Sequence, residues 1–433
     1  MNGSNYILDH QCPQCGAAIS LSETDRIFSC PYCRVRLFIF FQEFPSLYLP
    51  GSPTREQEYF FVPYWRCKGT RYVLTSGGVE PSLVDHSMCA VQNPPSLFPL
   101  SLGIRSQTLH MKFVEPLSTG VFLAPQSDFA SVKANAAHSL ARQKEFVEAV
   151  TSLHHIETLV AENRTLAAVQ PVEALIGELV SLVYSPFYVS RNFLFDGITG
   201  EKLQPWPENS VQLLDCRPPG PTFISTLCPE CGAGLGAEND SLALVCGNCG
   251  RAWSATGGGL APLDLFLYSS AIAADLWLPF WRLDVSAKPL ALGSIADFIH
   301  LTKTPRPVFP ALEQQKFYVW VPAFKANPNL FLLLAKLMTL NQKETAFAET
   351  FRKDSAFYPV TLPAREGFEA TRVVLGDISP ARQKTLPEIK NLSLSLLSSS
   401  LVYVPFVQRG QEYIQPDLNF GVMANALKWG RTM

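Results

Sequence analysis

Two stretches of the chain repeat one cysteine pattern at identical spacing, and this repeat constrains the fold more than any other feature. The first stretch reads Cys-Pro-Gln-Cys at 12–15 and Cys-Pro-Tyr-Cys at 30–33, with 14 residues between the two motifs. The second reads Cys-Pro-Glu-Cys at 228–231 and Cys-Gly-Asn-Cys at 246–249, again with a gap of 14 residues. A Pro-aromatic-Trp-Arg motif follows each pair and ends at Arg66 and Arg282. Each matched position is displaced by 216, about half of the 433 residues, which predicts a head-to-tail duplication.

The spacing of these cysteines is typical of a tetrahedral metal site. Each Cys-x-x-Cys motif places two sulfur atoms on one tight turn, and zinc accepts four thiolates at about 2.3 Å. Glycine after a motif allows the positive φ that the turn needs; Gly16, Gly232 and Gly250 stand there, and Arg34 is the exception. We therefore predict two zinc ions per chain, one bound by Cys12, Cys15, Cys30 and Cys33 and the other by Cys228, Cys231, Cys246 and Cys249.

Both elements resemble the zinc ribbon family, over residues 9–37 and 226–253. The gap of 14 residues is a little shorter than the roughly 15–20 residues common for this pattern. The resemblance implies closed four-cysteine sites with a structural role, since a closed site has no open coordination position for chemistry. The residues leave a rubredoxin-like iron redox carrier open as an alternative, because four thiolates also suit iron.

Nucleic-acid binding through the ribbons is the other alternative, because many zinc ribbons serve that purpose. Such a surface needs lysine and arginine around the metal site. The first ribbon has as many acidic as basic residues, and the second has Arg251 against Glu230, Glu238 and Asp240. The whole chain is also close to charge balance, with 35 Lys and Arg against 37 Asp and Glu. Nucleic-acid binding is therefore not the favoured prediction.

Composition favours a protein-interaction function. Charged residues make up 17% of the chain, against roughly 25% in ordinary globular proteins, and aromatic residues reach 11%. We predict a non-enzymatic scaffold or assembly subunit whose exposed apolar surface contacts a protein partner. No glycine-rich phosphate loop, Gly-x-Ser-x-Gly or His-Glu-x-x-His motif points to an enzyme. Homo-oligomerisation stays open.

The cysteine count and the lack of a visible targeting or membrane-spanning segment predict a cytoplasmic protein. Three cysteines, Cys67, Cys89 and Cys216, lie outside the metal motifs. An odd count with metal spacing suits a reducing compartment better than a disulfide framework. Neither a signal peptide nor an uninterrupted apolar run of about 20 residues is visible.

The fold predicted is α+β, rich in antiparallel strands, in two tandem pseudo-equivalent halves. Its parts are a first zinc ribbon at 1–45, an α+β domain at 46–217, a linker and second ribbon at 218–258, and a second α+β domain at 259–433. The prolines of Pro218–Pro221 mark the central boundary. Trp65-Arg66 and Trp281-Arg282 are expected to pin the strand after each ribbon.

Individual elements are predicted from periodicity and composition. Aromatic and β-branched residues predict a strand at Tyr59–Arg66, with Arg71–Thr75 as its hairpin partner, and a short hairpin within Ala17–Ser29. Helix formers without Gly or Pro predict a helix at Phe129–Val169. A helical spacing continues from Leu175 to Val183. Further predictions are a strand at Asp275–Val285 and a buried helix at Pro328–Leu340.

Overall fold

Strands dominate the regular structure of the chain. A computed structural model describes residues 6–52, 58–91, 96–103, 110–129, 171–207, 213–269, 273–342, 347–348, 356–418 and 420–430. Apart from Phe129, the helix predicted over Phe129–Val169 lies outside the described residues. No helix among the described residues is long and apolar enough to cross a membrane.

The strands up to residue 225 are β1 (Ile7–Gln11), β2 (Ala18–Ser22), β3 (Ile27–Ser29), β4 (Arg36–Phe40), β5 (Ser46–Tyr48), β6 (Phe60–Thr75), β7 (Gly78–Cys89), β8 (Lys112–Phe113), β9 (Val121–Phe122), β10 (Val172–Ser190), β11 (Phe193–Asp196), β12 (Lys202–Pro205) and β13 (Thr222–Ser225). The later strands are β14 (Ala243–Val245), β15 (Ala252–Thr256), β16 (Gly259–Leu263), β17 (Leu265–Tyr268), β18 (Leu276–Lys288), β19 (Val319–Pro322), β20 (Phe347–Ala348), β21 (Ser393–Arg409), β22 (Glu412–Gln415) and β23 (Phe420–Met423).

The helices with described bounds all follow the second ribbon. They are α1 (Ile295–Thr302), α2 (Pro310–Gln314), α3 (Pro328–Leu340), α4 (Ala364–Glu369), α5 (Thr371–Ile378), α6 (Arg382–Lys390) and α7 (Ala424–Gly430). Helix α3 has the bounds that the sequence predicts. Its core-facing residues include Phe331, Leu334 and Met338, so its predicted burial is confirmed as well.

Two long antiparallel strands, β6 and β10, organise the first large sheet. They pair from Phe60 opposite Phe187 to Leu74 opposite Val172, while β7 covers the other side of β6. The predicted hairpin between Tyr59–Arg66 and Arg71–Thr75 is wrong, because both belong to the single strand β6. The helical spacing from Leu175 to Val183 is also wrong. These residues lie inside β10, where apolar side chains on both faces are covered and no longer alternate.

The second large sheet repeats this arrangement with β18 and β21. Trp65 lies opposite Leu182, and Trp281 lies opposite Leu401. The register shifts by one residue at matching places in the two strand pairs. In the pair of β6 and β10, the shift falls between Ile176 and Leu179. In the pair of β18 and β21, it falls between Asp284 and Val285. Short strands β5 and β17 run parallel to β10 and β21 at matching positions. The two sheets therefore share register around their central strands.

The helices of the second half bring the two sheets together. Tyr72, Ala174 and Ile176 of the first sheet belong to the same buried cluster as residues of α1, α3 and α5. The Tyr72 ring packs 5.9 Å from that of Phe331, and Leu74 lies directly against Gly376 of α5. One core is thus built from both halves of the chain.

Candidate metal centres

Each cysteine motif sits on a tight turn with the same hydrogen bonds. In the first motif the N–H of Cys12 donates to the carbonyl of Ala17 (2.8 Å), and the N–H of Gly16 donates back to the carbonyl of Cys12 (2.8 Å). The pairs Cys30 with Val35 and Arg34 with Cys30 repeat this at 2.9 Å each. The motifs at Cys228 and Cys246 form the same two bonds with distances of 2.8 to 2.9 Å. Four equivalent turns therefore present eight sulfur atoms.

The sulfur atoms gather into two groups that can each hold a metal ion. All four sulfurs in each group lie within 4.8 Å of one another. Cys12 Sγ lies 3.7 Å from Cys33 Sγ, and Cys231 Sγ lies 3.5 Å from Cys246 Sγ. Four thiolates about 2.3 Å from a tetrahedral ion stand about 3.8 Å apart, so the separations fit such an ion. They exceed the roughly 2.05 Å of a disulfide, and all eleven cysteines are free.

Backbone N–H groups prepare one thiol in each group for metal binding. The N–H of Cys33 has the largest effect on Cys30 and lowers its pKa to about 6, opposed by burial and aided by the N–H of Tyr32. The N–H of Ala233 lowers the pKa of Cys231 to about 6, helped by the side chain of Asn248. The thiolate is the form that binds metal.

The backbone N–H groups of Val35 and Arg251 act to lower the pKa of Cys33 and that of Cys249, but burial and the neighbouring sulfurs outweigh them and raise both to about 12. Each group therefore holds a readily ionised thiol beside one that stays protonated until a cation binds.

The hairpin predicted within Ala17–Ser29 is wrong, because its two strands lie in different sheets. Strand β2 pairs with β1 across the first cysteine turn, whereas β3 pairs with β4 across the second. A hairpin around each turn holds the two sulfurs of that turn in place. The sequence between the motifs connects the two hairpins and does not form one.

The two ribbons pack against each other, which the sequence did not indicate. Strand β13, just before the second ribbon, pairs with β4 of the first. The side chains of Ile27 and Phe38 share a buried cluster with Cys228 and Cys246. Arg36 Nη1 donates to the carbonyl of Leu235 (3.1 Å). Because hydrogen bonds and a common core join them, the two metal groups belong to one paired unit.

This paired unit also contacts both large cores. Cys12 and Cys30 belong to the buried cluster of the first half, together with Leu47 and Tyr64 of its large sheet. On the other side, Ala243 of β14 belongs to the buried cluster of the second half. Each ribbon is therefore anchored to a large domain as well as to the other ribbon.

The arginines of the ribbons are largely engaged in internal contacts. Arg26 donates to the carbonyls of Glu23 and Asp25. Arg36 donates to two carbonyls of the second ribbon, and Arg251 forms an ion pair with Glu230 at 3.3 Å. Few cationic groups remain to form a surface for phosphates.

The two Trp-Arg motifs share one tryptophan contact and differ in the arginine. Trp65 Nε1 donates to the carbonyl of Ser127 (2.8 Å), and Trp281 Nε1 donates to that of Leu362 (2.7 Å). Arg66 is 1% exposed and bonds Glu23 and Asp85. These contacts agree with the expected structural role of the pairs.

Arg282 occupies the matching position in a different environment. Its guanidinium lies between the rings of Phe266 (5.5 Å) and Tyr318 (4.7 Å), and its Nε donates to Ser400 Oγ (3.2 Å). The matching arginines thus differ in their polar partners. Arg66 binds the buried Glu23 and the exposed Asp85 and also lies 3.7 Å from the ring of Tyr6. Arg282 lies against two rings and bonds Ser400.

The cysteines outside the motifs are not brought together. Cys67 is buried in β6, Cys89 is half-buried at the end of β7, and Cys216 is exposed just before the linker. Burial raises the pKa of the Cys89 thiol, which favours its neutral form. Among the described residues, no third group of potential metal ligands occurs.

Comparison with known proteins provides no relative for this chain: no family model, curated protein or solved structure matches it.

Proposed function

We propose that this chain is a non-enzymatic zinc-binding scaffold, in which two structural four-cysteine sites hold two strand-rich domains together for interaction with a protein partner. The observation that carries the proposal is the paired ribbon unit. Its sulfur atoms are placed for two closed tetrahedral sites, and its buried residues extend into the cores of both domains. Closed sites of this kind contribute folding free energy and leave no position for a substrate.

We propose zinc as the metal and one internal duplication as the origin of the arrangement. Zinc prefers four thiolates in a tetrahedron, and a structural role at two equivalent sites requires no redox change. The duplication is supported by the matching register of β6 with β10 and of β18 with β21, including the shared position of the register shift. An iron redox carrier remains the alternative for the same ligands.

The surface proposed for the partner is made mainly of aliphatic side chains. Only Tyr32, Phe309 and Trp429 are exposed aromatic residues among those described, whereas leucines such as Leu117 and Leu214 are 92% and 67% exposed. Most aromatic side chains fill the two cores, so the aromatic content alone does not support an interaction surface. We infer that exposed leucines form it as one contiguous patch, since such a patch marks an interaction site whereas scattered single leucines do not.

The proposal is tested by isolating the protein from its own cells with its partners attached. We expect a specific protein to co-purify at fixed stoichiometry and to stay bound in moderate salt, and we expect the complex to come from the cytoplasm, where free thiols persist. Isolation of the chain alone under mild conditions, or only with nucleic acid that salt removes, would contradict the proposal.

A further inference from the structure

The segment that joins α1 to α2 carries three prolines in seven residues and reads Thr-Pro-Arg-Pro-Val-Phe-Pro from Thr304 to Pro310. We call it the proline loop. A proline ring fixes φ at about −65° and removes the N–H, and a residue before proline is pushed out of the helical region. Every residue from Thr304 to Phe309 except Val308 is either a proline or restricted by the proline after it. The sequence itself therefore favours an extended loop.

Both ends of the proline loop are anchored in the fold. The loop follows directly after α1, and Pro310 is the first residue of α2. The N–H of Arg306 donates to the carbonyl of Thr304 (2.7 Å), which closes a three-residue turn over Pro305. At the other end Phe309 has an extended backbone, with φ −116° and ψ 155°. Within the part of the chain that the structure describes, no strand pairs with the loop, so its exposed side remains open to a partner.

The burial of its side chains follows the threefold repeat of a polyproline II helix, in which residues three apart share an edge. Val308 is half-buried and packs against the buried cluster of the second half. The spacing places Arg306 and Phe309 on a second edge, and Pro307 and Pro310 on a third. All four of these residues are exposed. One edge thus holds the loop to the core, and the other two face outward.

Contacts inside the fold do not account for the two outward edges. Phe309 is 59% exposed and is the only exposed phenylalanine among the described residues. The guanidinium of Arg306 forms neither a hydrogen bond nor an ion pair with any described residue. Proline-rich extended segments dock into protein grooves lined by aromatic side chains, and a free cation favours a groove with a negative charge beside it. The proline loop presents both features within five residues, Arg306 to Pro310.

We propose that the proline loop docks into a groove of a partner protein that is lined by aromatic side chains and has a carboxylate beside it. The rings of Pro307 and Pro310 pack against the aromatic side chains, and Arg306 pairs with the carboxylate. Because the prolines and the two flanking helices fix the loop beforehand, binding loses little conformational entropy. The inference rests on the protein partner proposed above and adds to the exposed leucines a statement of what that partner recognises.

Photo-crosslinking of the full-length protein in its own cells locates the contact, with p-benzoylphenylalanine in place of Phe309. The same probe in place of Tyr32 is the matched control, because Tyr32 is another exposed aromatic residue (70%) and lies on the first ribbon. We expect the co-purifying partner to be joined through position 309, at a peptide that contains Trp or Tyr and an acidic residue. A partner that co-purifies without this crosslink would overturn the inference and leave the proposed scaffold function standing. Absence of any co-purifying protein would contradict both.

Titration of the purified partner with metal-loaded full-length variants shows which edge is recognised. Pro307→Ala removes a ring from an outward edge and should weaken binding by about tenfold or more, as for a central interface residue. Pro305→Ala is the matched control, since Pro305 shares the edge of Val308, and its affinity should change by less than about twofold.

Arg306→Gln should weaken binding and make it less sensitive to salt, because it removes a charge. Equal losses in the two proline variants would show that only the stiffness of the loop matters and would overturn the proposal. So would unchanged binding in Pro307→Ala, or unchanged salt dependence in Arg306→Gln. Circular dichroism and metal content of each variant establish that the variant is folded.

Discussion

At the scale of single residues, Arg34 stands out because it has the backbone conformation of a glycine. Its φ is 61°, close to the 73° and 74° of Gly232 and Gly250 at matching turns. For a residue with a Cβ atom, this conformation costs roughly 1–2 kcal/mol. The turn holds Arg34 there because its N–H donates to the carbonyl of Cys30.

Arg34→Gly is therefore expected to raise the free energy of unfolding by about 1 kcal/mol, measured by urea unfolding of the metal-loaded protein. Gly250→Ala is the matched control in the second ribbon and should lower it by a similar amount. A loss of stability in Arg34→Gly would show that the arginine side chain contributes more than its backbone strain.

Arg66 and Arg282 provide a second comparison at this scale, because they occupy matching positions with different partners. Arg66→Met leaves the buried carboxylate of Glu23 without its cation, and breaking a buried ion pair in this way costs about 3–5 kcal/mol. Arg282 loses ring contacts of about 0.5–2 kcal/mol and a hydrogen bond to the hydroxyl of Ser400 but leaves no fully buried carboxylate behind, so Arg282→Met should be milder. Thermal unfolding of both variants measures the difference, and equal losses would contradict the different roles assigned to them.

At the scale of elements, the contact between the ribbons makes each depend on the other. Phe38 of β4 is 4% exposed and shares a cluster with Cys228, Cys246 and Trp253 of the second ribbon. We expect Phe38→Leu to accelerate amide hydrogen exchange in β14 and β15, although these strands are far away in sequence.

Leu21→Ala is the control for this prediction, because Leu21 belongs to the first ribbon but packs into the core of the first sheet. It should loosen the packing of β1 and β2 on the first sheet and change exchange in β14 and β15 much less than Phe38→Leu does, because Leu21 does not belong to the cluster shared by the ribbons. Mass spectrometry of peptides resolves these strands. Unchanged exchange there in Phe38→Leu would mean that the ribbons are independent.

The sequence predicted the local features well and the long-range contacts poorly. The eight cysteines, the helix at Pro328–Leu340 and the strand that contains Trp65 follow from spacing and residue type. The spacing of apolar residues from Leu175 to Val183 wrongly predicted a helix. A strand that is covered on both faces loses the alternation of apolar and polar residues, so its sequence can look helical. The pairing of β13 with β4 joins segments about 180 residues apart, and no local pattern carries that information.

At the scale of the whole molecule, the two halves differ in what they present on matching strand faces. Ala174 and Ile176 of β10 are buried against helices of the second half. The matching residues of β21, Ser393 and Ser395, are exposed. A polar outer face disfavours stacking of another apolar surface on this part of β21.

Replacing both serines tests this reading. The double variant Ser393→Val with Ser395→Val gives β21 an apolar outer face like that of β10, and we expect it to self-associate more strongly at equal concentration in light scattering. The matched pair of Ser393→Thr and Ser395→Thr keeps the hydroxyl groups and should behave like the original chain. Equal association in both double variants would contradict the assigned role of these serines.

The central claim is that the paired ribbon unit holds two structural zinc ions. Metal analysis of protein purified without chelator, combined with its visible absorption spectrum, tests it most directly. We predict two zinc ions per chain and no visible absorption, with loss of one ion in Cys30→Ser. One zinc or none, or iron with the colour of an iron–thiolate centre, would contradict the account.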